Sequence, residues 1–253
     1  SLKCKDCANL MQYYEKPQDT EHSSLLKNIC SLLEAIDHIT EIRLIGGEPL
    51  MYKKLDEVLS WVRTFNNFDQ IVIFTNGTII PKPSLISASI DTRVRYQISD
   101  YGNSLSRNTS KVIDVLSENK INYVHDRVMK WQDCAKIEKK KRTVEQTKFV
   151  FANCCVNDNF TLLHGKVYGC PFSSHAENLN AIPKFKKDSV DLMSNKKSEI
   201  IDGLRKLKNT KFLGACLYCN GRDYTVATVP AAVQTPLPLE YTPIKLFDLA
   251  ETR

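Results

Sequence analysis

No stretch of the 253 residues approaches the eighteen or so consecutive apolar positions that a membrane-spanning helix needs. A transmembrane protein is not expected. No secretory signal precedes Cys4, so the cytoplasm is the expected compartment. Charge of one sign is also scarce, with a formal net charge of only +6, and neither a nucleic-acid nor a membrane partner is expected. The surplus basic residues gather at Lys136, Lys139, Lys140, Lys141 and Arg142 and again at Lys184, Lys186 and Lys187. They read first as solvated loops, and more sharply as a match for an anionic small molecule. The nine cysteines are odd in number, and in a chain of intracellular character they point to metal or redox sites rather than disulfides.

What is present reads as alternating strands and helices. Leu25, Leu26, Ile29, Leu32, Leu33 and Ile36 recur at helical spacing, with Asp19 or Thr20 as the cap and Cys30 as a small core residue beside the stripe. A strand over 41–45 follows, then a helix carrying Leu55, Val58, Leu59, Val62 and Phe65, then the β-branched run Ile71-Val72-Ile73-Phe74. This order predicts a parallel sheet. Further strands are expected over 94–98, 121–124 and 148–151, with a helix over about 105–119. Polar and glycine-rich groups fall at the strand ends: Gly46-Gly47-Glu48-Pro49, Thr75-Asn76-Gly77, Ser99-Asp100 and His125-Asp126. In parallel α/β folds that rim is where ligands gather.

Two features carry chemistry. Cys4-Lys5-Asp6-Cys7 places two thiols three positions apart, a spacing that suits neighbouring irons of one cluster or half of a zinc site. Gly46-Gly47 at a strand end lets a ligand approach the backbone with no Cβ in the way. Together they resemble the radical S-adenosylmethionine (radical SAM) superfamily, whose motif is Cys-x3-Cys-x2-Cys followed by a Gly-Gly-Glu-Pro-like strand end. The motif's first cysteine would fall one place before Ser1, so the resemblance implies that it lies upstream together with the first strand of a partial (β/α)6 barrel. It also implies three-thiolate ligation of a 4Fe-4S cluster, with Cys4 and Cys7 as the second and third ligands. Gly46, Gly47, Glu48 and Pro49 then belong to the S-adenosylmethionine site, and Ser99 and Asp100 to its ribose. Asp6 stands where the superfamily usually has an aromatic residue against the adenine, which leaves Tyr13 or Tyr14 for that contact.

A second cysteine set follows. Cys154-Cys155 precedes an expected hairpin that turns at His164-Gly165 and ends at Cys170, and Cys216-Leu217-Tyr218-Cys219 completes a four-thiol group. Those spacings also suit a structural zinc. The order resembles the Twitch module, the short relative of the SPASM domain, which implies one auxiliary 4Fe-4S cluster held by Cys154 or Cys155 with Cys170, Cys216 and Cys219. Cys134 is left unassigned. The expected division is a radical SAM core over 1–152 and a cysteine-rich hairpin module with its tail over 153–253.

A fully ligated second cluster suits electron transfer. The implied activity is therefore a radical SAM oxidoreductase, resembling dehydrogenases that oxidise a secondary alcohol of an aminocyclitol and compact carbohydrate-modifying members. The residues Cys216 to Tyr224 and the tail from Pro230 to Pro243 carry the latter resemblance. The expected substrate is a sugar, aminosugar or nucleotide sugar, and the expected electron donor a flavodoxin- or ferredoxin-type protein. The alternatives are maturation of a ribosomal peptide and a non-catalytic iron-sulfur or zinc module. Lys148, Arg142, Glu145 and His125 are candidates for the base that takes the alcohol proton.

Overall fold

Four strands pair in sequence order and all in parallel: β1 (Ile39–Leu44), β2 (Phe68–Thr75), β3 (Val94–Asp100) and β4 (Asn122–Arg127). The computed structural model describes residues 1–193, 196–236 and 238–241. Helices α1 (His22–Leu33), α2 (Leu55–Val62), α3 (Pro83–Ser89) and α4 (Thr109–Glu118) alternate with the strands, as a parallel sheet requires of its crossovers. Period-two alternation sorts the side chains. Ile42 and Leu44, Ile71 and Ile73, and Val94, Tyr96 and Ile98 pack with Leu55, Leu59, Leu85, Val112 and Leu116 of the helices. The opposite face is polar. There Glu41 accepts from Gln70 at 2.9 Å and Arg95 at 3.4 Å and pairs with Arg43, while Gln97 donates to Asp126 at 2.7 Å.

Such a sheet, with a helical layer on one face, is compatible with part of a (β/α) barrel. Two local expectations are corrected. The cap of α1 is Glu21, whose carboxylate accepts from the N–H groups of Ser23 and Ser24; a carboxylate there also meets the positive end of the helix dipole. Cys30 is only half-buried, and its thiol donates to the Glu34 carboxylate at 3.2 Å instead of packing in the core.

The chain divides into two units, Ser1–Leu2 with Glu21–Met129 and Lys3–Thr20 with Lys130–Arg253. The parallel sheet belongs to the first. In the second, β5 (Lys130–Gln132) precedes α5 (Val144–Ala152), where a strand over 148–151 was expected. Thr143 and Gln146 form a reciprocal capping box, each side chain bonding the other's backbone N–H. That nucleates a helix through Lys148-Phe149-Val150-Phe151 despite its strand-like composition. The hairpin expected before Cys170 is present as β6 (Thr161–Leu163) and β7 (Lys166–Tyr168). Its two turn residues, His164 and Gly165, have φ of 45° and 82°, the doubly positive backbone of a tight hairpin turn. After α6 (Pro171–Asn178), β8 (Ser189–Asp191) extends that sheet antiparallel to β7. Helix α7 (Lys197–Lys208) and β9 (Thr228–Pro230), which pairs with β5, complete the unit. Leu237 and Pro243 of the proline-rich tail lie outside the described residues.

Candidate functional site

The rim of the parallel sheet is tied together by one buried carboxylate. Glu48, only 5% exposed, accepts from the Asn76 N–H at 2.8 Å and from the Leu50 N–H at 3.2 Å. The end of β1 is thereby fastened to the end of β2. Burial raises the Glu48 pKa, against the lowering effect of these bonds and of Thr75. Pro49 is buried and opens a short 3-10 turn over Pro49–Met51. Gly46 and Gly47 stand exposed just before it, and a Cβ built on Gly46 meets no protein atom within 4 Å. Nothing in the fold's own packing demands glycine at Gly46; the bare backbone leaves room for an external group. Gly77 differs. Its φ is +69°, and a Cβ there would stand 2.3 Å from Thr109 Oγ1, so the fold itself requires glycine.

Further along the rim, the Asp100 carboxylate receives the Gly102 N–H at 2.7 Å, Arg127 at 3.1 Å and His125 at 3.3 Å. Burial pushes its pKa up, but these donors outweigh burial and hold it below the usual range. Ser99 stands opposite Asp126 in the β3–β4 register. Of the candidates for a base, His125 is thus engaged by Asp100, Lys148 pairs with Glu145 at 2.8 Å, and Arg142 is committed to backbone carbonyls.

The Cys4–Cys7 segment folds within the second unit. Cys4 is buried in an antiparallel bridge with Gln234, whose amide donates to its sulfur at 3.3 Å. The Cys7 thiol is raised by burial, partly offset by the N–H groups of Asn9 and Met11 and by the charge of Arg222. Tyr13 and Tyr14 also lie in this unit. Tyr13 packs edge-on against Tyr241, and the Tyr14 hydroxyl is held by His175 and Asn178.

In the same unit, Cys134, Cys154, Cys170, Cys216, Cys219 and Arg222 line one cavity, with Ala8, the neighbour of Cys7, in its wall. The elements that converge there are the end of α5, the turn into α6 and a 3-10 turn over Gly214–Leu217. Within the set Cys154, Cys170, Cys216 and Cys219, every one of the six pairs is close enough for one sulfur's charge to act on the other. Cys134 flanks them, close enough for the charges of Cys154, Cys155 and Cys219 to act on it. Cys155 is exposed and stands outside the cavity wall. The structure thus brings Cys154, not its neighbour, to the other three.

These thiols are of the chemistry that holds an iron-sulfur cluster, and they line one cavity. Burial pushes Cys216 and Cys219 up to about 12 and Cys170 well above its ordinary value. Buried thiols of this kind are inert until a metal charge compensates the thiolates. Among the described residues no three Cys, His, Asp or Glu side chains converge on a point to hold one metal ion. A cubane makes a different demand, because each thiolate binds its own iron, so the sulfurs surround a space instead of sharing a point.

Three residues support the cysteine sets in ways that the sequence did not show. Arg142 Nη1 donates to the carbonyls of Cys216 at 3.0 Å and Cys219 at 2.6 Å. Asp188, 2% exposed and pushed up to about 6 chiefly by burial, accepts from the Gly214 and Ala215 N–H groups, both at 2.8 Å. It anchors the turn that carries Cys216. Gln234 bonds Cys4 from 230 positions away.

Comparison with known proteins agrees with part of this picture. A family model described as a 4Fe-4S single cluster domain matches residues 1–84, which contain Cys4, Cys7 and Gly46 to Pro49. A GTP 3′,8-cyclase of Helicobacter pylori is 38% identical over 86 residues, 32% of this chain and 26% of the relative. The enzyme of that name from a second strain is 33% identical over the same length. A GTP 3′,8-cyclase of Stenotrophomonas maltophilia is 41% identical over 44 residues, 17% of this chain and 14% of its own. The chain therefore spans about a quarter or less of the length of these curated relatives. The segment that carries Cys4, Cys7 and Gly46 to Pro49 is therefore similar to a 4Fe-4S single cluster domain. Among the described residues no helix is long and apolar enough to cross a membrane.

Proposed function

We propose that the chain is a radical SAM oxidoreductase that acts on a carbohydrate-type small molecule, a sugar, aminosugar or nucleotide sugar, and passes one electron to an auxiliary 4Fe-4S cluster. The observation that carries the second half of this reading is the mutually facing set Cys154, Cys170, Cys216 and Cys219, which lies outside the matched residues 1–84. Cys4 and Cys7 are the second and third of the three ligands of the first cluster. With S-adenosylmethionine bound, the cluster held by these thiolates would supply the radical chemistry that removes a hydrogen atom from the substrate. Gly46 and Gly47 admit the methionine part of that cofactor, Glu48 and Pro49 fix the backbone they belong to, and Ser99 and Asp100 serve the ribose. In functional terms residues 1–152 are the radical-generating part and 153–253 the auxiliary module.

The substrate class draws support from the polar face of the sheet. Arg43, Arg95, Gln97 and Asp126 offer charge and amide groups of the kind that hold hydroxyls and phosphates. The relatives' name states that they act on GTP, a ribose-bearing anion, and a nucleotide sugar shares that character. A flavodoxin- or ferredoxin-type protein delivers the first electron.

The test is anaerobic reconstitution of the full natural chain, followed by dithionite and a panel of nucleotide sugars and aminosugars. About eight irons are expected as two cubanes, with 5′-deoxyadenosine formed and a substrate alcohol oxidised to a carbonyl. Absence of 5′-deoxyadenosine from an iron-loaded sample overturns the radical reading. Stoichiometric zinc with a single cluster overturns the auxiliary one.

A further inference from the structure

Two guanidinium groups attend the four-thiol set, and neither is paired with a carboxylate among the described residues. Arg142 bridges the carbonyls of Cys216 and Cys219, and its charge acts on both sulfurs. Arg222 lines the cavity itself. Its Nε is buried without a hydrogen-bond partner, and its charge acts on Cys134 within the cavity and on Cys7 of the N-terminal set. Both arginines are half-buried, and a partly desolvated cation without a counter-ion is unfavourable. That cost is offset once the cavity holds a group of net negative charge.

Four thiolates around a cubane make such a group, and each added electron makes it more negative. A nearby fixed cation stabilises the reduced form more than the oxidised one and raises the reduction potential, for which net charge and hydrogen bonding around the sulfurs are the main levers. An electron acceptor needs that bias. We propose that Arg142 and Arg222 compensate the charge of the auxiliary cluster and hold its potential high enough to accept the substrate's electron. This rests on the four-thiol set being a cluster site. The two arginines differ in reach: Arg142 serves the Cys216–Cys219 pair, whereas Arg222 also faces Cys7 and so acts on both cysteine sets.

The test is a redox titration of the reconstituted full natural chain, followed by electron paramagnetic resonance, with iron content measured on the same samples. Arg222→Gln is expected to keep its iron and to lower the reduction equilibrium constant of the auxiliary cluster at least tenfold, which for one electron is about 59 mV. The first cluster shifts in the same direction. Arg222→Lys, which keeps the charge, restores most of both shifts. Arg142→Gln lowers only the auxiliary potential, and it is read in the same way should Arg222→Gln lose its second cluster. Iron-replete Arg222→Gln with both potentials unchanged overturns the inference. A wild-type chain with no second cluster overturns instead the reading on which it rests.

Discussion

The Glu48 carboxylate accepts the backbone N–H of Asn76 at 2.8 Å and so joins the glycine-rich end of β1 to the end of β2. Its other oxygen takes the Leu50 N–H. Glu48→Ala leaves both donors without that acceptor in a buried place, and the loss of stability is expected to be about 1–3 kcal/mol. Glu48→Gln keeps a carbonyl oxygen and loses less. Urea titration of both variants checks the order. Iron content should stay near the wild-type level in both, because Glu48 holds backbone and not metal.

Gly46 gives the complementary case, in which the fold has no stake. A Cβ there meets nothing within 4 Å and Gly46 is exposed, so Gly46→Val is expected to change stability by no more than about 0.5 kcal/mol. S-adenosylmethionine binding should nevertheless fall sharply, since the side chain fills the space in front of the strand end. Unchanged dithionite-driven cleavage in this variant removes Gly46 from the cofactor site.

The adjacent cysteines separate in the same way. Cys154 lines the cavity with Cys170, Cys216 and Cys219, whereas Cys155 is exposed. Cys154→Ser should cost the auxiliary cluster, about four irons per chain, and Cys155→Ser should cost none. The reverse result, read by iron analysis, would exchange their roles.

Much of the first unit was legible because its signals are local. The apolar stripe of α2 and the run Ile71-Val72-Ile73-Phe74 of β2 each announce one element and one buried face, and the polar strand ends follow from the direction of the chain. The hairpin was legible for the same reason, since His164-Gly165 sits between two apolar arms. What the sequence hid is non-local. Cys134 lies more than eighty positions before Cys219, yet its carbonyl stands 3.6 Å from that sulfur, and no spacing rule links them. Helix α5 was hidden by composition, because Lys148-Phe149-Val150-Phe151 reads as a strand until the capping box at Thr143 and Gln146 is weighed against it. Phe149 is 69% exposed, so the aromatic run owes little to burial.

Asp188 makes the stability of the cluster-free chain depend on pH. Its folded pKa, about 6, lies above the ordinary 3.8, so between those values the native state binds more protons than the unfolded one. Stability must then fall as pH rises from about 4 to about 6 and level off above, by an amount on the order of 3 kcal/mol. Asp188→Asn should remove that slope. Urea midpoints of the two proteins across the window measure the difference, and parallel curves would show that the buried carboxylate is not responsible.

The two cysteine sets can be separated by the step at which each is needed. Cys216→Ala combined with Cys219→Ala removes two of the four mutually facing thiols and leaves Cys4 and Cys7 in place. In the full natural chain, folded as judged by circular dichroism and carrying about four irons, this variant should still form 5′-deoxyadenosine under dithionite. It should yield no oxidised product, because the substrate radical lacks an acceptor for its second electron. The expected signature is uncoupled turnover, with cofactor consumed and substrate returned unoxidised. Full product formation by such a variant would show that the second cysteine set supports the fold and does not receive the electron, and the reaction would then have to be redox-neutral for the substrate.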